Sequence, residues 1–286
     1  MTTIEAKNAA QPEAAAAPWA IENLPPFPAV ATRLLRLLAR EDVNVNEVAR
    51  TVAAEPVFAA RVLQLANSPL FAVQAEIVGI PQAIILLGLT RVRAITVTRA
   101  MGDFIAPAIN LRTLRMCWRN SLAGALVAEE LANISGVDPD LAYLAGLLRD
   151  IGRLALLIKY PREYDNLVAV SREEHFDLIA TERELFDVDH CEAGEWVIKK
   201  FPLPAELSDV IARHHQPLTP GQFDLVTLVA CADRMADGLG FALLEPADRA
   251  AFEQACRDFA EVSGCSFDPA PEELTKTIES KIAAWA

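Results

Sequence analysis

The sequence predicts an all-α protein, and three observations carry that prediction. No stretch of useful length alternates apolar and polar residues with period two. Helix starts and stops recur along the chain as capping side chains, first-turn prolines and terminal glycines. The apolar content, 52% of 286 residues, is mostly Ala, Leu, Val and Ile, with only 7% aromatics. That mixture favours helices packed on helices. The length suits one large domain or two modest ones.

Residues 1–20 are Ala-rich, Pro-flanked and without an amphipathic repeat, so they are expected to form a loose tail. Helices of an N-terminal subdomain are expected over 21–106. Prolines in Leu24-Pro25-Pro26-Phe27-Pro28 suit an extended approach and a first helical turn. Val30, Leu34, Leu37 and Leu38 then mark one helical face. Asn46 can cap a second helix carrying Val48, Val52 and Ala53. Pro56 opens a third, with Phe58, Val62, Leu63 and Ala66 aligned. Asn67-Ser68-Pro69 ends it by combining breakers with self-bonding side chains, and so fixes the loop expected over 70–80. Pro81 starts a short helix, Ala83–Leu87, which Gly88 stops as a left-handed cap. Thr90 caps the next helix, which reaches about Phe104. The clustered Pro, Ile and Asn of 105–110 mark a joint.

A second subdomain is expected over 107–240. A long helix runs from Leu111 to about Ile134. Asp138-Pro139 caps and opens the apolar run Leu141–Ile158. Within it Gly146 suggests close helix approach and Gly152 a bend or break. Tyr160-Pro161 ends the run. Helical patterns resume at roughly 162–172, 175–187 and 189–201. Pro202 and Pro204 separate them from a helix ending in His214-His215-Gln216-Pro217. After Thr219-Pro220-Gly221, the run Phe223–Leu239 is apolar but carries Asp233 and Arg234. Two further helices, about 246–262 and 271–285, occupy 241–286 and complete the domain.

Composition excludes several function classes. The chain has 39 acidic and 26 basic residues, a formal charge of -13. Such a field repels phosphate, so direct nucleic-acid binding is disfavoured. The longest locally basic piece is Thr90–Arg99, with Arg91, Arg93 and Arg99. Cys117, Cys191, Cys231, Cys256 and Cys265 form no Cys-x-x-Cys pair, which predicts reduced, buried core thiols in a cytoplasmic protein. No apolar run is long enough to span a bilayer; the best, Ile77–Leu89, is broken by Gly79, Pro81 and Gly88. The N-terminus lacks an apolar signal core. No Gly-x-Ser-x-Gly elbow or phosphate-cradling Gly-rich loop is present. Glu129-Glu130 and Arg172-Glu173-Glu174 read as solvated faces, and His175 is given no role.

One local feature resists a purely structural reading. In Ala145-Gly-Leu-Leu-Arg-Asp-Ile-Gly-Arg153, a charged pair, Arg149-Asp150, falls inside an apolar run. Buried charge is expensive unless it is paired.

Two ordered blocks of motifs carry a family resemblance. The first is Leu24-Pro25-Pro26-Phe27-Pro28, Glu55-Pro56, Leu65-Ala66-Asn67-Ser68-Pro69-Leu70-Phe71 and Ala83–Gly88. The second is Ala145–Gly152, Asp189-His190-Cys191-Glu192-Ala193-Gly194, Leu203-Pro204 and His214-His215-Gln216-Pro217. Over about residues 22–220 the set resembles the HDOD domain, a helical relative of the HD-type metal phosphohydrolases. The resemblance implies an HD-like multi-helix bundle with an N-terminal helical subdomain, in bacterial signal transduction.

In catalytic HD relatives, a His, an adjacent His-Asp pair and a late Asp hold a divalent ion that polarises water for attack on a phosphate ester. Matching motif to motif puts the pair at Arg149-Asp150, the first His near Asn120 and the late Asp at Asp233. Two of the four ligands are therefore replaced. Arginine stays protonated and has no lone pair for a metal; asparagine offers at best a carbonyl oxygen. The resemblance thus implies a degenerate pocket of Asn120, Arg149, Asp150 and Asp233, with no metal, no cofactor and no catalysis. The guanidinium would substitute for the ion by pairing with Asp150, Asp233 or both.

His190, His214 and His215 resemble extra histidines that some metal-dependent relatives use, and they are candidate ligand contacts. The competing reading has their imidazoles bonding helix ends and acids. Adjacent helical residues point about 100° apart, so His214 and His215 are not expected to reach one small ion as a pair.

The expected function is a regulatory module that binds a signalling protein partner in trans, since no output, receiver or cyclase domain is evident. One alternative is a sensor of a nucleotide, for example a cyclic dinucleotide, with Arg149 and His214 or His215 contacting phosphate. The other is a residual metal-dependent phosphohydrolase.

Overall fold

The structure, a computed structural model, describes residues 19–22, 29–40, 42–68, 75–199, 206–219 and 221–283. Those residues are all-α, with no strand among them. Residues 1–18 of the expected tail, the Leu24–Pro28 approach, Pro69–Phe71, Pro202, Pro204 and Pro220 lie outside the described residues.

Five helices build the N-terminal layer: α1 (Ala29–Leu38), α2 (Val45–Ala53), α3 (Pro56–Ala66), α4 (Ile80–Leu87) and α5 (Leu89–Ile105). Their apolar stripes meet in a small core that includes Leu34, Leu38, Val48, Val52, Val62 and Ile84. Asn67 closes α3 and pins the segment after it: Nδ2 donates to the Leu63 and Ile77 carbonyls at 2.9 and 2.8 Å, and Oδ1 accepts from Ile77 N at 2.7 Å. Three caps differ from expectation. Asn44, not Asn46, caps α2, accepting from the Asn46 N–H at 2.8 Å. Gly88, not Thr90, precedes α5. Gly88 has φ 79° and ψ 160°, so its positive φ supplies a sharp corner rather than a left-handed helical cap.

The larger core belongs to the remaining helices. They are α6 (Arg112–Ser135), α7 (Pro139–Leu148), α8 (Ile151–Lys159), α9 (Pro161–Glu174), α10 (Leu178–Phe186), α11 (His190–Ile198), α12 (Glu206–Arg213), α13 (Leu225–Ala236), α14 (Arg249–Ser263) and α15 (Pro271–Ala283). Helix α6 lies against α7, α13 and α15, and α8 lies against α11. Phe252, Phe259 and Ile278 bring α14 and α15 into the same core.

Helix α5 serves both cores. Val92 and Ile95 face the small one, whereas Val97, Met101 and Phe104 face the large one. The turns of 106–110 follow α5, the helix whose two ends face the two cores. Trp19 and Ala20 also depart from the tail expectation. With Ile21 they form a helical turn whose Ala20 and Ile21 are buried in the large core. Trp19 Nε1 donates to Asp187 Oδ2 at 2.7 Å, and Lys159 Nζ to the Trp19 carbonyl at 2.8 Å.

The apolar run Leu141–Ile158 is two helices. Asp138 caps the first, accepting from Asp140 N and Leu141 N at 2.9 and 3.1 Å. At Gly146 an added Cβ would sit 2.9 Å from Ala125 Cα and the Gly124 carbonyl, so α7 approaches α6 there. The break falls at Arg149-Asp150, not at Gly152. Gly152 lies inside α8, where a Cβ would overlap the His190 carbonyl and Gly194 N. Its role is contact with α11.

Several of the charged side chains make specific contacts. Arg91 pairs with Glu129 at 2.6 Å and Asp140 at 2.7 Å. Arg93 donates to the Leu38 carbonyl, and Arg99 pairs with Asp103 at 2.5 Å. Glu129 is thus a half-buried bridge rather than a solvated face, and Glu130 meets Lys281 at 3.2 Å. Arg172, Glu173 and Glu174 are exposed, as expected, and Arg172 also donates to the Leu243 and Leu244 carbonyls at 2.5 and 3.1 Å. All five cysteines are free; Cys117, Cys191 and Cys231 are buried, Cys256 and Cys265 partly so. Among the described residues no single helix is long and apolar enough to cross a membrane.

Candidate functional site

Arg149 and Asp150 form the junction between α7 and α8, deep in the large core. Asn120 faces them from the middle of α6 and Asp233 from α13. The Arg149 side chain is 0% exposed. Its Nε donates to Asp233 Oδ1 at 2.9 Å and lies 3.3 Å from Asp150 Oδ2. Nη2 reaches Asp233 Oδ1 at 2.5 Å and donates to Asn120 Oδ1. Nη1 donates to the Gly146 carbonyl at 2.6 Å. Gly124 on α6 leaves the space for this group, since a Cβ there would overlap the guanidinium. Burial works against the Arg149 charge, but Asp233 and Asp150 outweigh it and hold its pKa above the ordinary arginine value.

The chemistry of this donor set does not fit a divalent ion. A metal needs lone pairs; position 149 offers only N–H donors, turned onto Asp233 and toward Asp150 Oδ2. Asn120 is committed on both sides, because its Nδ2 donates to Asp237 Oδ1 at 2.9 Å. Asp237 is a member that sequence reasoning missed. Burial and the neighbouring Asp233 push its carboxyl up to about 8.

A second cluster adjoins the first through Asp150. Arg153, one turn into α8, places Nη1 at 3.2 Å from Asp150 Oδ1. Burial would raise the Asp150 pKa, yet Arg153 and Arg149 hold it well below the usual carboxylate range. Buried Glu182 of α10 accepts at Oε2 from His190 N at 2.8 Å and from His190 Nδ1 at 2.6 Å. Tyr164 OH donates to its other oxygen. His190 Nε2 faces His215 Nε2 at 2.9 Å and Arg153 Nη2 at 3.2 Å. His214 Nδ1 donates to the Val210 and Ile211 carbonyls at 3.2 and 3.1 Å.

The expectation that His214 and His215 cannot converge is overturned. Helix α12 stops at Arg213, so both residues lie in a turn, where helical spacing does not apply. Their ring centroids are 4.1 Å apart. His215 as a whole is exposed. Burial on its inner side, with His214 and His190 adding to it, still lowers its pKa.

The structure therefore gathers Asn120, Arg149, Asp150 and Asp233 in one place and His190, His214 and His215 beside them. Sequence reasoning assigned no role to Arg153, Glu182, Tyr164 or Asp237. Arg153 carried a signal, being a second cation in the apolar run, three residues past Asp150. Nothing local separates Glu182 from Glu184 in Thr-Glu-Arg-Glu-Leu-Phe.

Comparison with known proteins fixes the family. The HDOD domain matches residues 24–217. This chain belongs to the HDOD family. Three solved structures share its fold. An HDOD domain protein with unknown function from Geobacter sulfurreducens is 29% identical, with 93% of this chain and 92% of that one covered and a TM-score of 0.66. A candidate phosphohydrolase from Shewanella amazonensis SB2B is 22% identical, with 92% and 94% covered and a TM-score of 0.68. A candidate signal transduction protein from Marinobacter aquaeolei VT8 is 22% identical, with 92% and 57% covered and a TM-score of 0.60. An uncharacterized Treponema pallidum (strain Nichols) protein is 23% identical over 225 residues, 76% of this chain; the HDOD chain spans 44% of that relative's length.

Proposed function

We propose that this HDOD domain is a non-catalytic regulatory module of bacterial cytoplasmic signalling that acts by binding a protein partner. The observation that supports it is Arg149. Its guanidinium is buried against Asp150 and Asp233, where the catalytic relatives would keep an ion. A fixed cation without exchangeable positions can neutralise the acids but cannot generate a metal-bound hydroxide. The signalling half of the reading draws on the Marinobacter neighbour's description.

The nucleotide-sensor alternative has one observation in its favour. A cavity of about 700 Å³ is lined by Asn120, Arg153, His215, Asp233 and Asp237, among others. Of its named phosphate contacts, His215 lines this cavity, but Arg149 is fully buried and engaged. Asp177, Asp233, Asp248 and Asp258 make the lining acidic, which opposes a phosphate.

The test is a phosphodiesterase assay of the full chain with bis(4-nitrophenyl) phosphate in Mn²⁺ or Mg²⁺, run beside calorimetric titration with a cyclic dinucleotide panel. No turnover and no binding heat are expected. Turnover abolished by Asp233→Asn would contradict the non-catalytic reading, and saturable heat would favour the sensor.

A further inference from the structure

The cavity of about 700 Å³ brings together two kinds of charge that no simple ion satisfies. Arg153 lines it with Asp233 and Asp237, and Glu245, Asp248 and Asp258 add three more acids. We propose that it binds one free α-amino acid with a basic side chain, of the arginine class. Arg153 takes the carboxylate, Asp233 and Asp237 the α-ammonium, and Glu245 and Asp258 the side-chain cation. The inference rests on Arg149 holding the seat of the ion, because a metal there would claim Asp233; it is independent of any protein partner.

Three observations carry it. Arg153 is only 8% exposed, yet it lines the cavity. Its Nη1 faces Asp150 and its Nη2 faces His190, each at 3.2 Å. Its Nε has no hydrogen-bond partner, since Glu182 Oε1 is 4.0 Å away. A buried donor without a partner is rare. A guanidinium carries five N–H donors in a fork that matches a carboxylate.

The second observation is the pair of acids beside that guanidinium. Among the described residues Asp233 and Asp237 receive hydrogen bonds at Oδ1 only, from Arg149 and Asn120. Each Oδ2 is left for a ligand. Burial and Asp233 push the Asp237 carboxyl up, and Arg149 and Arg153 pull against them, so these groups feel one another. An α-amino acid carries its carboxylate and ammonium on one carbon, and a cation and acids this close can take both.

The third is the outer wall. Glu245 is exposed and makes no ion pair or hydrogen bond among the described residues. Asp258 meets Arg234 only at 3.5 Å. Leu243 and Leu244 give an apolar surface for an aliphatic stem whose charged end reaches these acids. The volume falls within the roughly 300–1,000 Å³ of small-molecule sites.

The competing ligand classes each leave part of the cavity unmatched. A simple anion meets the acids, a polyamine leaves Arg153 without an acceptor, and a neutral amino acid leaves Glu245 and Asp258 without a cation.

The test is calorimetric titration of the full chain at low salt with L-arginine, agmatine, Nα-acetyl-L-arginine and L-leucine. L-Arginine should give saturable heat with one site per chain. Agmatine lacks the carboxylate, the acetylated form lacks the ammonium and leucine lacks the side-chain charge, so each should bind at least about tenfold more weakly. Ala251→Trp plugs the mouth from an exposed helical position; it should abolish the heat and leave the melt unchanged. Glu245→Gln should weaken L-arginine and not L-leucine. Arg153→Gln should bring L-arginine down to the level of agmatine; where that variant does not fold, the Ala251→Trp result decides. No heat with L-arginine overturns the site, as does agmatine binding equally well or binding that survives Ala251→Trp. Metal content of the same protein separates this failure from that of the proposed function. No heat in an ion-free chain overturns the amino-acid site alone, whereas a bound divalent ion among Asn120, Asp150 and Asp233 overturns both.

Discussion

Arg149 concentrates the residue-scale physics of this protein. Its charge is stable in the core only because Asp150 and Asp233 accept it and Gly124 leaves it space. Removing one partner of a buried ion pair strands the others and costs about 3–5 kcal/mol. Arg149→Leu should therefore lower the unfolding free energy in urea by about that amount; a loss under about 1 kcal/mol would mean the acids need no cation. Asp237 gives a pH signature. Its pKa of about 8 lies above the ordinary 3.8, so the native chain keeps a proton that the unfolded chain releases. That contribution is complete below pH 3.8 and is lost as pH rises through 8. His215 works in the opposite sense, but only below its ordinary 6.5. Wild-type Tm should fall between about pH 6.5 and 8.5, and Asp237→Asn should flatten that fall. The Arg149-Asp150 pair was legible because charge inside an apolar run is conspicuous. Asp237 was not, since a carboxylate after a helix resembles any other until the fold buries it.

At the scale of elements, the contact between α8 and α11 positions the second cluster. Gly152 lets the two backbones meet, and His190 starts α11 just beyond. Gly152→Ala would force a methyl into backbone atoms that cannot swing aside as a side chain could. Overpacking typically costs 1–3 kcal/mol, so a drop in stability of at least about 3 kcal/mol is expected by urea unfolding; a neutral outcome would show that α8 shifts freely. The sequence flagged this glycine but suggested a bend. A glycine in an apolar run serves either purpose, and only the partner helix decides between them. The end of α12 was equally ambiguous, because Arg213-His214-His215-Gln216 holds no glycine or proline to stop the helix before Pro217.

Across the whole molecule, two helices, α1 and α5, join two cores: α1 gives Ala31 and Leu35 to the large one and Leu34 and Leu38 to the small one. Helix α5 packs on both sides, and Arg91 ties it to Glu129 of α6 and Asp140 of α7. The fold class followed from local signals: periodicity, caps and prolines. The sharing of α5, and the docking of Trp19–Ile21 onto the large core, depend on contacts between distant residues that no local pattern records. Arg91→Ala should loosen the small core relative to the large one. Native-state hydrogen exchange should then show faster exchange in α2–α4 with α6 and α13 little changed. Equal acceleration in both would contradict a bridge at that position.

The central claim, that a guanidinium holds the position of the catalytic ion, has a direct crystallographic test. Crystals of the full chain soaked in Mn²⁺ should give no anomalous peak among Asn120, Asp150 and Asp233, with Arg149 density continuous to both acids. A peak there, with the Arg149 side chain displaced, would contradict the account.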